Sequence, residues 1–162
     1  MRVLSQILSS DWLQTRVRVM GGAYGGSSSF AQSGQVLFSS YRDPNLKETL
    51  DNYNAIPDYL DKLEVNDKDM TRYIIGTVSG LDRPLTPSQK GETAVNNYLQ
   101  RIKPEDIQRD RDEVITTTLP DVKGMKKMVS DILGQNAFCV YGNEEKIKSQ
   151  TDLFGKVENL SK

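Results

Sequence analysis

The 162 residues suit one domain able to bury a real core. Basic and acidic residues nearly balance, 21 against 22, and no apolar run approaches the length of a membrane span, so neither nucleic acid nor a membrane is an expected partner. There is no histidine and one cysteine, Cys139, which excludes within this chain a Ser-His-Asp triad, a Cys-His dyad, an HxxEH zinc motif and an internal disulfide, leaving carboxylate-only or lysine-based catalysis as the formal remainder.

The first dozen residues, MRVLSQILSSDW, interrupt their apolar positions with polar ones and do not read as a signal peptide. Val3, Leu4, Ile7, Leu8 and Trp12 instead lay one apolar stripe along a helix that continues to about Val17. At RVRVMGGAYGGSSSF alternation replaces the helical period. This predicts a turn near Gly21-Gly22 and a strand from about Ala23 to Phe30. A short polar connection, Gln32 to Gly34, leads to a second strand, QVLFSSY. Strands joined this closely should form an antiparallel hairpin.

The remainder reads as mostly helical. Asp43-Pro44 has the form of an N-cap carboxylate with proline at the first helical position. Leu46, Leu50, Tyr53 and Leu60 follow on one face, with a kink or break expected at Pro57. Asn66 should cap a helix carrying Met70, Tyr73, Ile74, Thr77, Val78 and Leu81 as its apolar stripe. Thr86 to Gln89, TPSQ, has the pattern of a capping box, and Val95, Tyr98, Leu99 and Ile102 follow on one face. Pro104 and Pro120 open two further helices, and Gly134 should end the second. AFCVY, at 137–141, reads as a buried strand holding an inert Cys139, and Asn143 stands to cap a last helix.

The sum is α+β, an antiparallel sheet packed against helices. A hairpin plus one distant strand makes a thin sheet, which fits either strands missing upstream or a small complete one. Several groups have structural readings. Gly21, Gly22, Gly25 and Gly26 lack the GxGxxG order and the following helix of a phosphate-binding loop. Arg42 and Asp43 read as a local ion pair and a cap. Lys123, Lys126 and Lys127 read as a solvated helix face. Asp106, Asp110, Asp112 and Glu113 alternate with Arg109 and Arg111, which favours a charged surface helix over a metal site.

RVRVMGGAYG at 16–25 and SSYRDPNLKETLDNY at 39–53 resemble the presequence-protease subfamily of the insulinase/pitrilysin zinc metallopeptidases. The resemblance continues through YIIGTVSGLDRPLTPSQKG at 73–91, NYLQRIKPEDIQRDRDEVITTT at 97–118 and FCVYGN at 138–143, in order across almost the whole chain. It implies that 1–162 is the C-terminal, zinc-free domain of a clamshell protease, of the LuxS/MPP-like metallohydrolase fold and lacking its first strand or strands. The implied partners are the N-terminal half of the same protease, which holds the zinc, and an unstructured peptide enclosed between the halves. This chain alone would bind no cofactor and contain no catalytic residue. The implied compartment is the cytoplasm of a bacterium or an organelle matrix in a eukaryote.

The resemblance also assigns an arginine and a tyrosine, matching Arg18 and Tyr24, that reach across the chamber to the substrate. Zinc-dependent peptide hydrolysis builds negative charge on the carbonyl oxygen, and a tyrosine hydroxyl is a directional donor suited to it. An arginine fork can hold a neighbouring carbonyl and set the register of the peptide. Six residues of regular strand would part the two by about 20 Å. A tight turn at Gly21 and Gly22 would bring them together. Two other readings stand beside this one: a purely structural member of the same superfamily, and a protein-interaction module with no tie to proteolysis.

Overall fold

A computed structural model describes residues 1–31 and 33–159. Helix α1 (Arg2–Ile7) runs on without a break into two π-helical stretches, Leu8–Trp12 and Gln14–Met20. The Leu13 N–H reaches back five residues to Leu8 in the wider turn. This long element is the spine of the core, since Leu4, Ile7, Leu8, Leu13 and Val17 are all fully buried. It therefore extends beyond Val17, where the apolar stripe ends, to the glycine turn.

Strands β1 (Gly25–Phe30) and β2 (Val36–Tyr41) form the antiparallel hairpin, in register from Gly25 opposite Tyr41 to Phe30 opposite Val36. The expected connection includes Gln32, which lies outside the described residues. A two-stranded hairpin is marginal alone, and here the N-terminal helix supports it. The Ser28 N–H donates to Ser9 Oγ at 2.9 Å, and Ser5 Oγ donates to the Ser28 carbonyl at 2.6 Å. Gly26 faces the spine closely, where a Cβ would come within 3.2 Å of Val17 Cβ. The same face of the hairpin continues into the core through Phe30 and Phe38 to Tyr53, the rings following one another at 6.1 and 5.9 Å.

Helices α2 (Lys47–Asn54) and α3 (Ile56–Lys62) are separated just before Pro57, as its missing N–H requires. Ile56 and Leu60 are buried against α7 (Leu119–Gly124) and α8 (Lys126–Leu133), which contribute Val122 and Val129. The helix expected from Pro120 is thus two, divided at Met125, and Gly134 closes the second. Helix α4 (Asp67–Leu81) is capped by the Asn66 side chain, buries Met70, Tyr73 and Thr77, and lies between α1 and α6 (Pro104–Thr116). Helix α5 (Pro87–Leu99) has the full Thr86/Gln89 capping box. Asn143 caps α9 (Glu144–Lys148), and a 3-10 turn follows at Thr151–Leu153.

The architecture is helix-rich α+β with a two-stranded antiparallel sheet among the described residues. Four expectations are corrected. Asp43-Pro44 does not open α2, which starts at Lys47 with Leu46 at its N-cap. The Asp43 carboxylate instead accepts from the Asn45 N–H at 2.9 Å and the Thr49 hydroxyl at 2.7 Å, closing a loop. Residues 137–141 form no strand and Cys139 is exposed, because an apolar run without a ladder partner gains nothing from extension. The stripe of α5 packs on no core: Tyr98 is 82% and Leu99 70% exposed, and the helix buries no residue. Fourth, Arg42 and Asp43 form no ion pair.

Candidate functional site

The site is built on the turn that carries the spine into β1. Gly21 is still right-handed, and its lack of a side chain is a packing necessity. A Cβ there would stand 2.5 Å from the Val17 carbonyl oxygen and 3.0 Å from that of Arg16. Gly22 takes φ +80°, the left-handed conformation that reverses the chain. Two nested hydrogen bonds close the turn, Gly22 N–H to the Arg18 carbonyl at 2.9 Å and Ala23 N–H to the Val17 carbonyl at 3.1 Å. Asn45 Nδ2 donates to the Gly21 carbonyl at 2.6 Å, and Pro44 lies against Gly22. The loop after β2 thus braces the turn, which is the use the structure makes of Pro44.

Arg18 lies on the exposed side of the last turn of the spine, where its charge suits the C-terminal end of the helix. Among the described residues its guanidinium reaches only Gln14 Oε1, at 3.4 Å. Tyr24 follows the turn directly. Its N–H donates to the Tyr41 carbonyl at 3.0 Å, while its side chain is 68% exposed. The hydroxyl makes no hydrogen bond among the described residues. Both residues therefore flank one glycine turn with polar groups turned to solvent.

Sequence reasoning missed two neighbours. Tyr41 meets the Tyr24 ring edge to face, centroids 5.9 Å apart at 86°. The Arg42 guanidinium lies over both rings, 5.4 Å from Tyr41 and 6.0 Å from Tyr24. The ion pair expected between Arg42 and Asp43 is not formed, since the carboxylate is occupied by Asn45 and Thr49 and Arg42 leaves the strand with φ +48°. The hairpin register was the available signal: with Gly25 opposite Tyr41, Tyr24 and Arg42 fall together at the open end.

The other candidates resolve into ordinary surface chemistry. Asp106 accepts from the Lys103 N–H and pairs with Arg109 at 2.6 Å, contacts that hold its carboxyl below the usual carboxylate range. Asp110 pairs with Arg2 at 2.7 Å, and Arg111 pairs with Asp82. Lys123 donates to the Asp61 carbonyl, Lys126 pairs with the Asp61 carboxylate, and Lys127 pairs with Asp131. Among the described residues no three His, Cys, Asp or Glu side chains are grouped so as to hold a metal, and no helix is long and apolar enough to cross a membrane.

Residues 1–140 match the family described as the PreP C-terminal domain, and the chain belongs to that family. It is 42% identical over 160 residues to a protein named HypA from Clostridium perfringens (strain 13 / Type A), covering 99% of this chain and 16% of that protein. It is 38% identical over 146 residues to presequence protease 1, chloroplastic/mitochondrial, from Arabidopsis thaliana, covering 90% of this chain and 14% of the other. It is 33% identical over 122 residues to the mitochondrial presequence protease of Xenopus laevis, covering 75% and 12%. The chain thus spans less than a fifth of the length of these curated relatives. The glycine turn with both flanking residues lies inside the matched span.

Proposed function

We propose that 1–162 is the substrate-contacting C-terminal domain of a zinc metalloendopeptidase that degrades unstructured peptides inside a closed chamber. The observation that carries this reading is the pairing of family membership over 1–140 with two exposed side chains, Arg18 and Tyr24, whose donors are nearly uncommitted beside a rigid glycine turn. In this reading the hairpin is part of a larger LuxS/MPP-like sheet completed by strands from the preceding polypeptide. The metal is held by the N-terminal half, since this chain has no histidine to offer. Tyr24 donates its hydroxyl to the carbonyl oxygen as charge develops there, and Arg18 holds an adjacent peptide carbonyl with its fork. Both donors engage only when the halves meet, so cleavage depends on closure. The compartment follows the source: an organelle matrix in a eukaryote, the cytoplasm in a bacterium.

The test is kinetic, in the complete peptidase that carries this domain. Tyr24→Phe should lower kcat roughly a hundredfold, about 3 kcal/mol, with metal content and melting temperature unchanged. Arg18→Lys keeps the charge but loses the fork, and should raise KM as well as lower kcat. A structural or interaction-only role requires instead that both variants turn over normally. The isolated chain should show no chelator-sensitive cleavage of an unstructured fluorogenic peptide, and such cleavage would overturn the reading.

A further inference from the structure

We propose that Arg42 is a positioning residue for Tyr24: its guanidinium clamps the Tyr24 ring against Tyr41, so that the hydroxyl is held in one place for a bound peptide. The inference rests on the reading of Tyr24 as a substrate donor given above.

Three observations meet here. Arg42 is held at φ +48°, a conformation that disfavours any residue with a Cβ and that glycine would adopt freely. A position that glycine would fill without strain is held by arginine, which points to use of the side chain. That side chain crosses the end of the hairpin to lie over both tyrosine rings, at 5.4 and 6.0 Å, within the range of cation–π attraction. It makes no ion pair or hydrogen bond among the described residues, although Asp43 is its chain neighbour, because Asn45 and Thr49 occupy that carboxylate.

Tyr24 needs such a clamp. Its backbone is fixed by the glycine turn and by the Tyr41 carbonyl, yet its side chain is mostly exposed and its hydroxyl is tethered to nothing described. An exposed tyrosine free to change rotamer presents its hydroxyl at several positions, and each turnover would bear the ordering cost. Tyr41, edge on at 5.9 Å, closes one side of the ring and Arg42 closes another. Both contacts come from the end of β2, so the placement of the hydroxyl is coupled to the hairpin rather than to the flexible side chain itself.

Arg42→Gly is the informative variant, because glycine keeps the left-handed backbone without strain while the side chain that lies over the rings is removed. In the complete peptidase it should lower kcat roughly tenfold while KM stays within about twofold, and Arg42→Lys, which keeps a cation over the rings, should recover most of the loss. The same Arg42→Gly change should have no further effect in a Tyr24→Phe background, where there is no hydroxyl to place. A second measurement is independent of catalysis: with tyrosine rings isotope-labelled, Arg42→Gly should shift the Tyr24 ring resonances of this chain toward free-tyrosine values, and Tyr41→Phe should not. If Tyr24→Phe lowers kcat but Arg42→Gly leaves kcat and the ring resonances unchanged, the positioning role is refuted and the substrate role of Tyr24 survives. An equal loss from Arg42→Gly in both backgrounds, or a rise in KM alone, also refutes positioning through Tyr24. If Tyr24→Phe is itself silent, the substrate role falls, and this inference with it.

Discussion

Of four glycines at and just after one turn, three are required for different reasons and one is not. Gly21 is required by space, because a Cβ would overlap the Val17 carbonyl at 2.5 Å. Gly22 is required by φ +80°, and Gly26 by the approach of β1 to Val17. Gly25 is required by neither, since a Cβ there meets nothing within 4 Å and its φ is not positive. Alanine substitution should separate them in urea denaturation. Gly21→Ala should cost about 1–3 kcal/mol through overpacking, and Gly22→Ala about 1–2 kcal/mol through backbone strain. Gly25→Ala should stay within about 0.5 kcal/mol. Equal effects at all of these positions would mean that the turn is not the rigid element described. One buried tyrosine, Tyr53, and one half-buried, Tyr59, make the same point for polar atoms. The Tyr59 hydroxyl donates to Asp11 at 2.7 Å, while that of Tyr53 is sealed beside Ser40 without a well-formed hydrogen bond, and burial pushes both pKa values up.

At the scale of elements, two helices with equally good caps differ in what the caps stabilise. Asn66 accepts from the Asp69 N–H at 2.9 Å at the start of α4, and α4 is packed between α1 and α6. Thr86 accepts from the Gln89 N–H at 3.3 Å at the start of α5, which buries nothing. A cap contributes to global stability only as far as its helix is coupled to the core. Asn66→Ala should therefore lower the global unfolding free energy by about 1 kcal/mol. Thr86→Ala should leave that quantity nearly unchanged and speed amide exchange within α5 alone. An equal shift of the denaturation midpoint by both variants would contradict this division. Local sequence pattern foresaw both caps because a cap is decided within four residues. It failed at Asp43-Pro44, where the same residue types serve a loop that braces the glycine turn from across the hairpin.

The whole molecule is organised around the N-terminal spine, which touches the hairpin on one side and α4 on another. Leu4 is fully buried there, whereas Leu99 on α5 is 70% exposed. Leu4→Ala should cost about 2–5 kcal/mol, and Leu99→Ala within about 0.5 kcal/mol, both read from denaturant melts of this chain. A large loss from Leu99→Ala would show that α5 packs in solution against a surface it leaves free here. The exposed faces of α5 and of 137–141 bear apolar side chains with nothing described to cover them, Tyr141 being 87% exposed. In the proposed reading the remainder of the peptidase covers them.

By itself the sequence determined much of what is decided by near neighbours along the chain. The apolar period of the spine, the hairpin, the Asn66, Thr86 and Asn143 caps and the break before Pro57 are local hydrogen-bonding and packing choices. Its motifs, kept in order along the chain, also carried the family. Whether an apolar stripe finds a partner was decided only in three dimensions, because burial belongs to the pair of surfaces and not to either one. The same period that buries Met70 and Tyr73 on α4 leaves Tyr98 and Leu99 on α5 in solvent, and AFCVY is no strand without a ladder to join. The stack of Arg42 on Tyr24 and Tyr41 was likewise a tertiary outcome. Three residues, 18 positions apart at the extremes, meet only because the hairpin register closes their distance, and the positive φ at Arg42 then turns its charge over the rings and away from Asp43.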